Sequence, residues 1–72
     1  MAPASAPTAV VDPRAELGAE VVVGPFCVVG PLVKIGRGTR LENHVTITGR
    51  TTIGEFNHIF PNTVIGAEPQ DL

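Results

Sequence analysis

The sequence has no apolar run long enough to cross a bilayer. Its oiliest stretch, VVVGPFCVVGPLVKIG over residues 21–36, is interrupted at Gly24, Pro25, Gly30 and Pro31, whereas a spanning helix needs about 20 uninterrupted apolar residues. The opening MAPASAP also lacks the basic start and the apolar run of roughly seven or more residues that mark an export signal. The expectation is a soluble, cytoplasmic chain with no membrane span. A single cysteine, Cys27, excludes an internal disulfide framework and suits a reducing compartment. The five Lys and Arg are scattered along the chain, and with a formal charge of −2 and a pI near 5.5 there is no basic footprint for nucleic acid.

What the sequence has in abundance is regularity. Stepping by six from Val11 gives Leu17, Val23, Val29, Ile35, Leu41, Ile47, Ile53, Ile59 and Ile65, with no miss and no insertion. If roughly a quarter of residues are Val, Ile or Leu, ten consecutive hits arise by chance about once in a million registers. The position after each aliphatic is glycine at 18, 24, 30, 36, 54 and 66. Two positions before it runs a row of small or medium residues: Ala9, Ala15, Val21, Cys27, Val33, Thr39, Val45, Thr51, Asn57 and Thr63.

A helix does not keep such a row on one face, because six steps of about 100° leave successive aliphatics about 240° apart. A strand does, since its side chains alternate with period two. One strand of that length would exceed about 150 Å, so the chain must bend. Each hexad becomes a short strand with two inward side chains. A corner follows, where Gly is expected to supply an unusual φ and Pro at 13, 25, 31 and 61 to fix the turn. Seventy-two residues make one small domain. Residues 1–7 read as a flexible N-terminus and 8–72 as the repeat.

The hexads resemble the hexapeptide-repeat family. That resemblance implies an all-β fold, a left-handed parallel β-helix of triangular section with three hexads per coil and about three and a half coils here. The handedness comes from the resemblance alone, because parallel crossovers are in general right-handed. Eighteen residues per coil would stack Val11, Val29, Ile47 and Ile65 in one buried ladder, Leu17, Ile35 and Ile53 in a second, and Val23, Leu41 and Ile59 in a third. Both ends of so short a prism leave open strands and an uncapped core.

The outward positions distinguish three walls. The first reads Val10, Val28, Thr46, Val64, the second Glu16, Lys34, Thr52, and the third Val22, Arg40, His58. Exposed β-branched residues are ordinary on strands, but an apolar stripe stacked on one wall only favours a subunit contact.

Residues from about Thr8 to Leu72 further resemble the start of the bacterial UDP-N-acetylglucosamine O-acyltransferases. The resemblance is carried by VDPRAELG, VGPFCVVGP, VKIGRGTRLENHVTITGRTTIG and above all IFPNTVIGAEPQDL. It implies transfer of a 3-hydroxyacyl chain from acyl carrier protein to the 3-hydroxyl of UDP-N-acetylglucosamine, the first step of lipid A biosynthesis. It also implies a homotrimer, here through the Val10, Val28, Thr46, Val64 wall, with sites between subunits. No cofactor is implied, the carrier-bound acyl donor being a substrate. The family's catalytic histidine, nucleotide-binding residues and C-terminal helical part fall outside the segment matched, so no catalytic residue is assigned and the chain alone is expected to be inactive. Gln70 and Asp71 match the family's substrate-binding positions near the sugar and the acyl 3-hydroxyl. Without the resemblance, Asp71 reads as a turn cap or a solvated charge. The alternative is a β-helical assembly or binding module with no chemistry of its own.

His44 and His58 are 14 residues apart rather than 18, so they occupy different walls of the prism and read as exposed corner or strand residues with no Ser, Cys or acidic partner in a recognisable catalytic arrangement. The γ-type carbonic anhydrases, another hexapeptide-repeat branch, bind zinc through three histidines. Two at this spacing assign no metal site. Cys27 reads as a small core residue, and Asn57 as an inward amide that must find partners within its coil or on water.

Overall fold

The computed structural model describes residues 2–66. Its eleven strands are β1 (Ala4–Ser5), β2 (Val10–Val11), β3 (Glu16–Leu17), β4 (Val22–Val23), β5 (Val28–Val29), β6 (Val33–Ile35), β7 (Arg40–Leu41), β8 (Thr46–Ile47), β9 (Thr51–Ile53), β10 (His58–Ile59) and β11 (Val64–Ile65). Two or three residues cannot hold a strand alone. Each is held by the strand eighteen residues away, in parallel register: Val10 pairs with Val28, Val28 with Thr46, and Thr46 with Val64.

Three sheets result. The first wall is β2, β5, β8 and β11, the second β3, β6 and β9, and the third β1, β4, β7 and β10. Together they close a left-handed parallel β-helix. All three aliphatic ladders form as the spacing predicts, Leu17 over Ile35 over Ile53 and Val23 over Leu41 over Ile59 among them. Among the described residues no helix is long and apolar enough to cross a membrane.

Pairing begins inside the segment expected to be flexible. Ala4 N–H donates to Val21 O and Ala6 N–H to Val23 O, both at 2.9 Å. Ser5 occupies the position six before Val11, and its hydroxyl kept it out of the aliphatic row.

The core is driest in the middle. Val21, Val23, Cys27, Val29, Val33, Ile35, Thr39, Leu41, Val45 and Ile47 are at most 2% exposed, whereas Val11, Leu17, Ile53 and Ile65 are only partly buried. Small residues in the inward row leave room for cross-coil hydrogen bonds. Cys27 Sγ–H donates to Glu42 O and Thr39 Oγ1–H to Gly54 O, both at 2.8 Å and both fifteen residues on. Asn57, expected to point inward, is exposed, its amide donating to Glu55 O at 3.4 Å.

The corners correct one expectation. Of the glycines that follow the aliphatic row, only Gly66 has a positive φ; the left-handed conformation falls instead on Glu20, Phe26, His44, Phe56 and Asn62, two residues further on, and on Gly38 and Gly49. What the row glycines provide is closeness. A Cβ on Gly24 would lie 2.5 Å from Glu42 O in the coil above. The left-handed residues turn their N–H groups toward the coil before. Gly38 donates to Ala19 O, His44 to Pro25 O, Phe56 to Arg37 O and Asn62 to Asn43 O, at 2.8–3.3 Å. Such a φ costs a non-glycine residue about 1–2 kcal/mol, offset by these bonds between stacked corners.

Candidate functional site

The two residues expected to bind substrate, Gln70 and Asp71, lie outside the described residues. Within them, polar chemistry gathers on the third wall and on the corner that joins it to the first.

β10 turns Ile59 inward and therefore His58 outward. One coil below, Glu42 follows the inward Leu41 at the start of a corner, in place of a row glycine. These placements bring His58 Nε2 within 2.5 Å of Glu42 Oε2, and the Phe60 ring sits 4.7 Å from the imidazole. His58 thus has an acidic neighbour that its place on the wall did not suggest, although the pair alone is not a catalytic arrangement. The signal was the spacing of sixteen, two short of a full coil, which makes 42 and 58 diagonal neighbours.

His44 occupies the corner itself, with φ at 57°. Its ring stacks on Phe26 one coil below, centroids 5.1 Å apart and 22° between planes. Asn43 Nδ2 lies 2.9 Å from His44 Nδ1. An amide nitrogen only donates, so Nδ1 is the acceptor in this contact. Val22, Phe26, Arg40, Asn43 and His44 line an open groove of about 350 Å³.

The opposite side is a surface of ion pairs. Lys34 meets Glu16 at 3.6 Å on the second wall, Arg37 meets Glu20 at 2.9 Å and Arg14 meets Asp12 at 3.1 Å on its two corners. The Arg14 side chain donates to Asp12 and holds its carboxyl below the usual carboxylate range, helped by the Arg14 backbone N–H, while Asp12 raises the guanidinium in return. The cations are less scattered in space than in sequence. Arg14 and Arg50 stack with Leu32 between them, each eighteen residues from the next, and with Lys34 they border a groove of about 480 Å³.

A carboxylate that holds an imidazole can orient it for proton transfer. No Ser, Thr or Cys hydroxyl or thiol is hydrogen-bonded to either imidazole among the described residues. Cys27 is fully buried, a core residue as its row predicts. Among the described residues no three or more His, Cys, Asp or Glu side chains gather as metal ligands would.

Comparison with known proteins places these coils. Residues 14–49 match the family model described as bacterial transferase hexapeptide (six repeats). The chain is 58% identical over 65 residues to an acyl-(acyl-carrier-protein) UDP-N-acetylglucosamine O-acyltransferase of Thermodesulfovibrio yellowstonii, covering 90% of this chain and 25% of that protein. A crystal structure of UDP-N-acetylglucosamine acyltransferase superposes with a TM-score of 0.90 at 46% identity, over 94% of this chain and 26% of the other. The enzyme of that name from Campylobacter jejuni gives 0.90 at 32% identity, over 94% and 27%. The chain therefore spans about a quarter of the length of the curated relatives it matches.

Proposed function

The chain belongs to the bacterial transferase hexapeptide family, and from that premise we propose that it forms the first coils of an O-acyltransferase acting on UDP-N-acetylglucosamine. The reaction moves a 3-hydroxyacyl chain from acyl carrier protein to the sugar 3-hydroxyl, the opening step of lipid A synthesis in the cytoplasm. The observation that carries this reading is the 58% identity to the Thermodesulfovibrio yellowstonii enzyme over 65 residues, beyond what a shared coil requires.

In this reading the coils position rather than react. The chemistry needs a base for the sugar hydroxyl proton and donors for the developing oxyanion. Both come from the part of the enzyme that follows these coils, so the 72-residue chain is inactive alone. Gln70 and Asp71 contact the sugar and the acyl 3-hydroxyl. The chain assembles as a homotrimer, with the wall of Val10, Val28, Thr46 and Val64 against a neighbour; the three valines are 41–64% exposed, which supports a covered role.

The test is a chimaera in which residues 8–72 replace the matching segment of the Thermodesulfovibrio yellowstonii enzyme. Acyl transfer is expected, and its loss by tenfold or more on Gln70→Ala or Asp71→Ala. A chimaera that folds and trimerises yet transfers nothing would favour the binding-module reading. Acylation of UDP-N-acetylglucosamine by the 72-residue chain unaided would show that the base is within it.

A further inference from the structure

Three edges join the walls of the prism, and two of them turn on a left-handed residue in coil after coil. Between the second and third walls these residues are Glu20, Gly38 and Phe56, with φ of 63°, 73° and 56°; between the third and first they are Phe26, His44 and Asn62, with φ of 59°, 57° and 63°. Each stands at the same place, third after an inward aliphatic. The edge between the first and second walls does not repeat. Its two lower corners carry Pro13 and Pro31, whose rings fix an ordinary negative φ, and hold no left-handed residue. In the next coil the proline's place is taken by Gly49 at φ 69°, and one coil higher Gly66, directly after Ile65, is left-handed at 75°. Gly18, Gly24, Gly30, Gly36 and Gly54 hold the same hexad position as Gly66 without that conformation.

The two departures are fitted to each other. Gly66 stacks over Thr48, whose N–H donates to Ile65 O at 3.0 Å. A Cβ on Gly49 would lie 2.5 Å from Gly66 O, and a Cβ on Gly66 would run into Thr48 O and Thr51 Oγ1. Thr51 is itself held, because its hydroxyl donates to Thr48 O at 2.8 Å and closes the corner from 48 to 51. That corner is a saddle of backbone and one hydroxyl with room for a glycine and nothing larger, and it sets the direction in which the chain passes Gly66. Gln70 and Asp71 follow within five residues. Unusual backbone persists only where its surroundings impose it, and it gathers where functional side chains must be aimed.

Resting on the substrate-binding reading of Gln70 and Asp71, we propose that Gly49 and Thr51 are positioning residues: they hold Gly66 in the left-handed conformation from which the segment carrying those two side chains departs. Neither needs to touch substrate. They act through Gln70 and Asp71, where a misplacement of about 1 Å can lower the rate by about a hundredfold.

The chimaera described above carries the test. Gly49→Ala should lower kcat/KM for UDP-N-acetylglucosamine by tenfold or more. Gly24→Ala crowds a carbonyl of the coil above just as closely, and should lower the melting temperature while leaving kcat/KM within twofold. Thr51→Val keeps the volume but removes the hydroxyl, and should lower kcat/KM by threefold or more, with Thr51→Ser restoring it; this pair decides the matter if Gly49→Ala does not fold. In the Gln70→Ala/Asp71→Ala background either substitution should cost less than twofold more, because groups that act as a unit are lost only once. Unchanged kinetics in Gly49→Ala and Thr51→Val, an equal loss in Gly24→Ala, or losses that multiply with those of Gln70→Ala/Asp71→Ala would each overturn the positioning role and leave the substrate-binding reading standing. A chimaera indifferent to both Gln70→Ala and Asp71→Ala, or one that transfers nothing with every residue intact, would overturn that reading, and this inference with it.

Discussion

Leu41 and Leu17 occupy the same position of the hexad, yet they live in different surroundings. Leu41 lies between Val23 below and Ile59 above and is 1% exposed; Leu17 has Ile35 above it and is only partly buried. The repeat makes the two positions equal and the stacking does not. A side chain in a coil is dry only when coils lie on both of its faces, so the stability of so few coils rests on the middle ones. That is the general behaviour of solenoids, where each unit is stabilised by its neighbours.

The contrast can be broken from its strong side first. Leu41→Ala removes a fully enclosed side chain and should cost about 2–5 kcal/mol, read as a fall in the urea midpoint by circular dichroism. Gly24→Ala attacks the stacking instead of the core: with Glu42 O at 2.5 Å from the new Cβ, the two coils must separate, at about 1–3 kcal/mol. Thr39→Val keeps the volume but removes the hydroxyl that donates to Gly54 O and accepts from Asn57 N–H at 3.2 Å, which should cost about 1–2 kcal/mol. Leu17→Ala should cost about 1–2 kcal/mol, because the side chain is only partly buried; a loss equal to that of Leu41→Ala would abolish the distinction between middle and end.

The smallest effect concerns pH. Arg14 holds the Asp12 carboxyl below its ordinary range, so this group contributes stability above the carboxylate pKa of the unfolded chain and loses it as the pH falls through the depressed value. Asp12→Asn should therefore lower the melting temperature slightly at neutral pH and not at all in strong acid. Both groups are exposed, so a large change would point to a contact beyond this pair.

The fold was legible because one rule, an aliphatic every sixth residue, holds from Val11 to Ile65 without an exception, and because only strands keep that period on one face. The three ladders and the three walls followed once the family resemblance supplied three hexads per coil. Corner chemistry was less legible. A glycine in sequence signals either a positive φ or a close approach, and only coordinates separate the two; here Phe26 and His44 take the conformation that composition would give to glycine. The Glu42–His58 contact was hidden for a related reason, since it runs diagonally between coils while the repeat directs attention to residues stacked vertically. β1 was missed because Ser5 holds an aliphatic position with a hydroxyl.

The parallel pairing at a fixed spacing of eighteen has a consequence for how such a sequence can change. Deleting one residue within a strand would turn every inward side chain beyond it to the outside and every outward one to the inside, a frameshift written in space rather than in codons. Length changes are tolerable only at the corners, where an extra loop leaves the next strand in phase. Lineages of this chain should therefore grow or shrink by loops at the three edges or by whole laps of the prism.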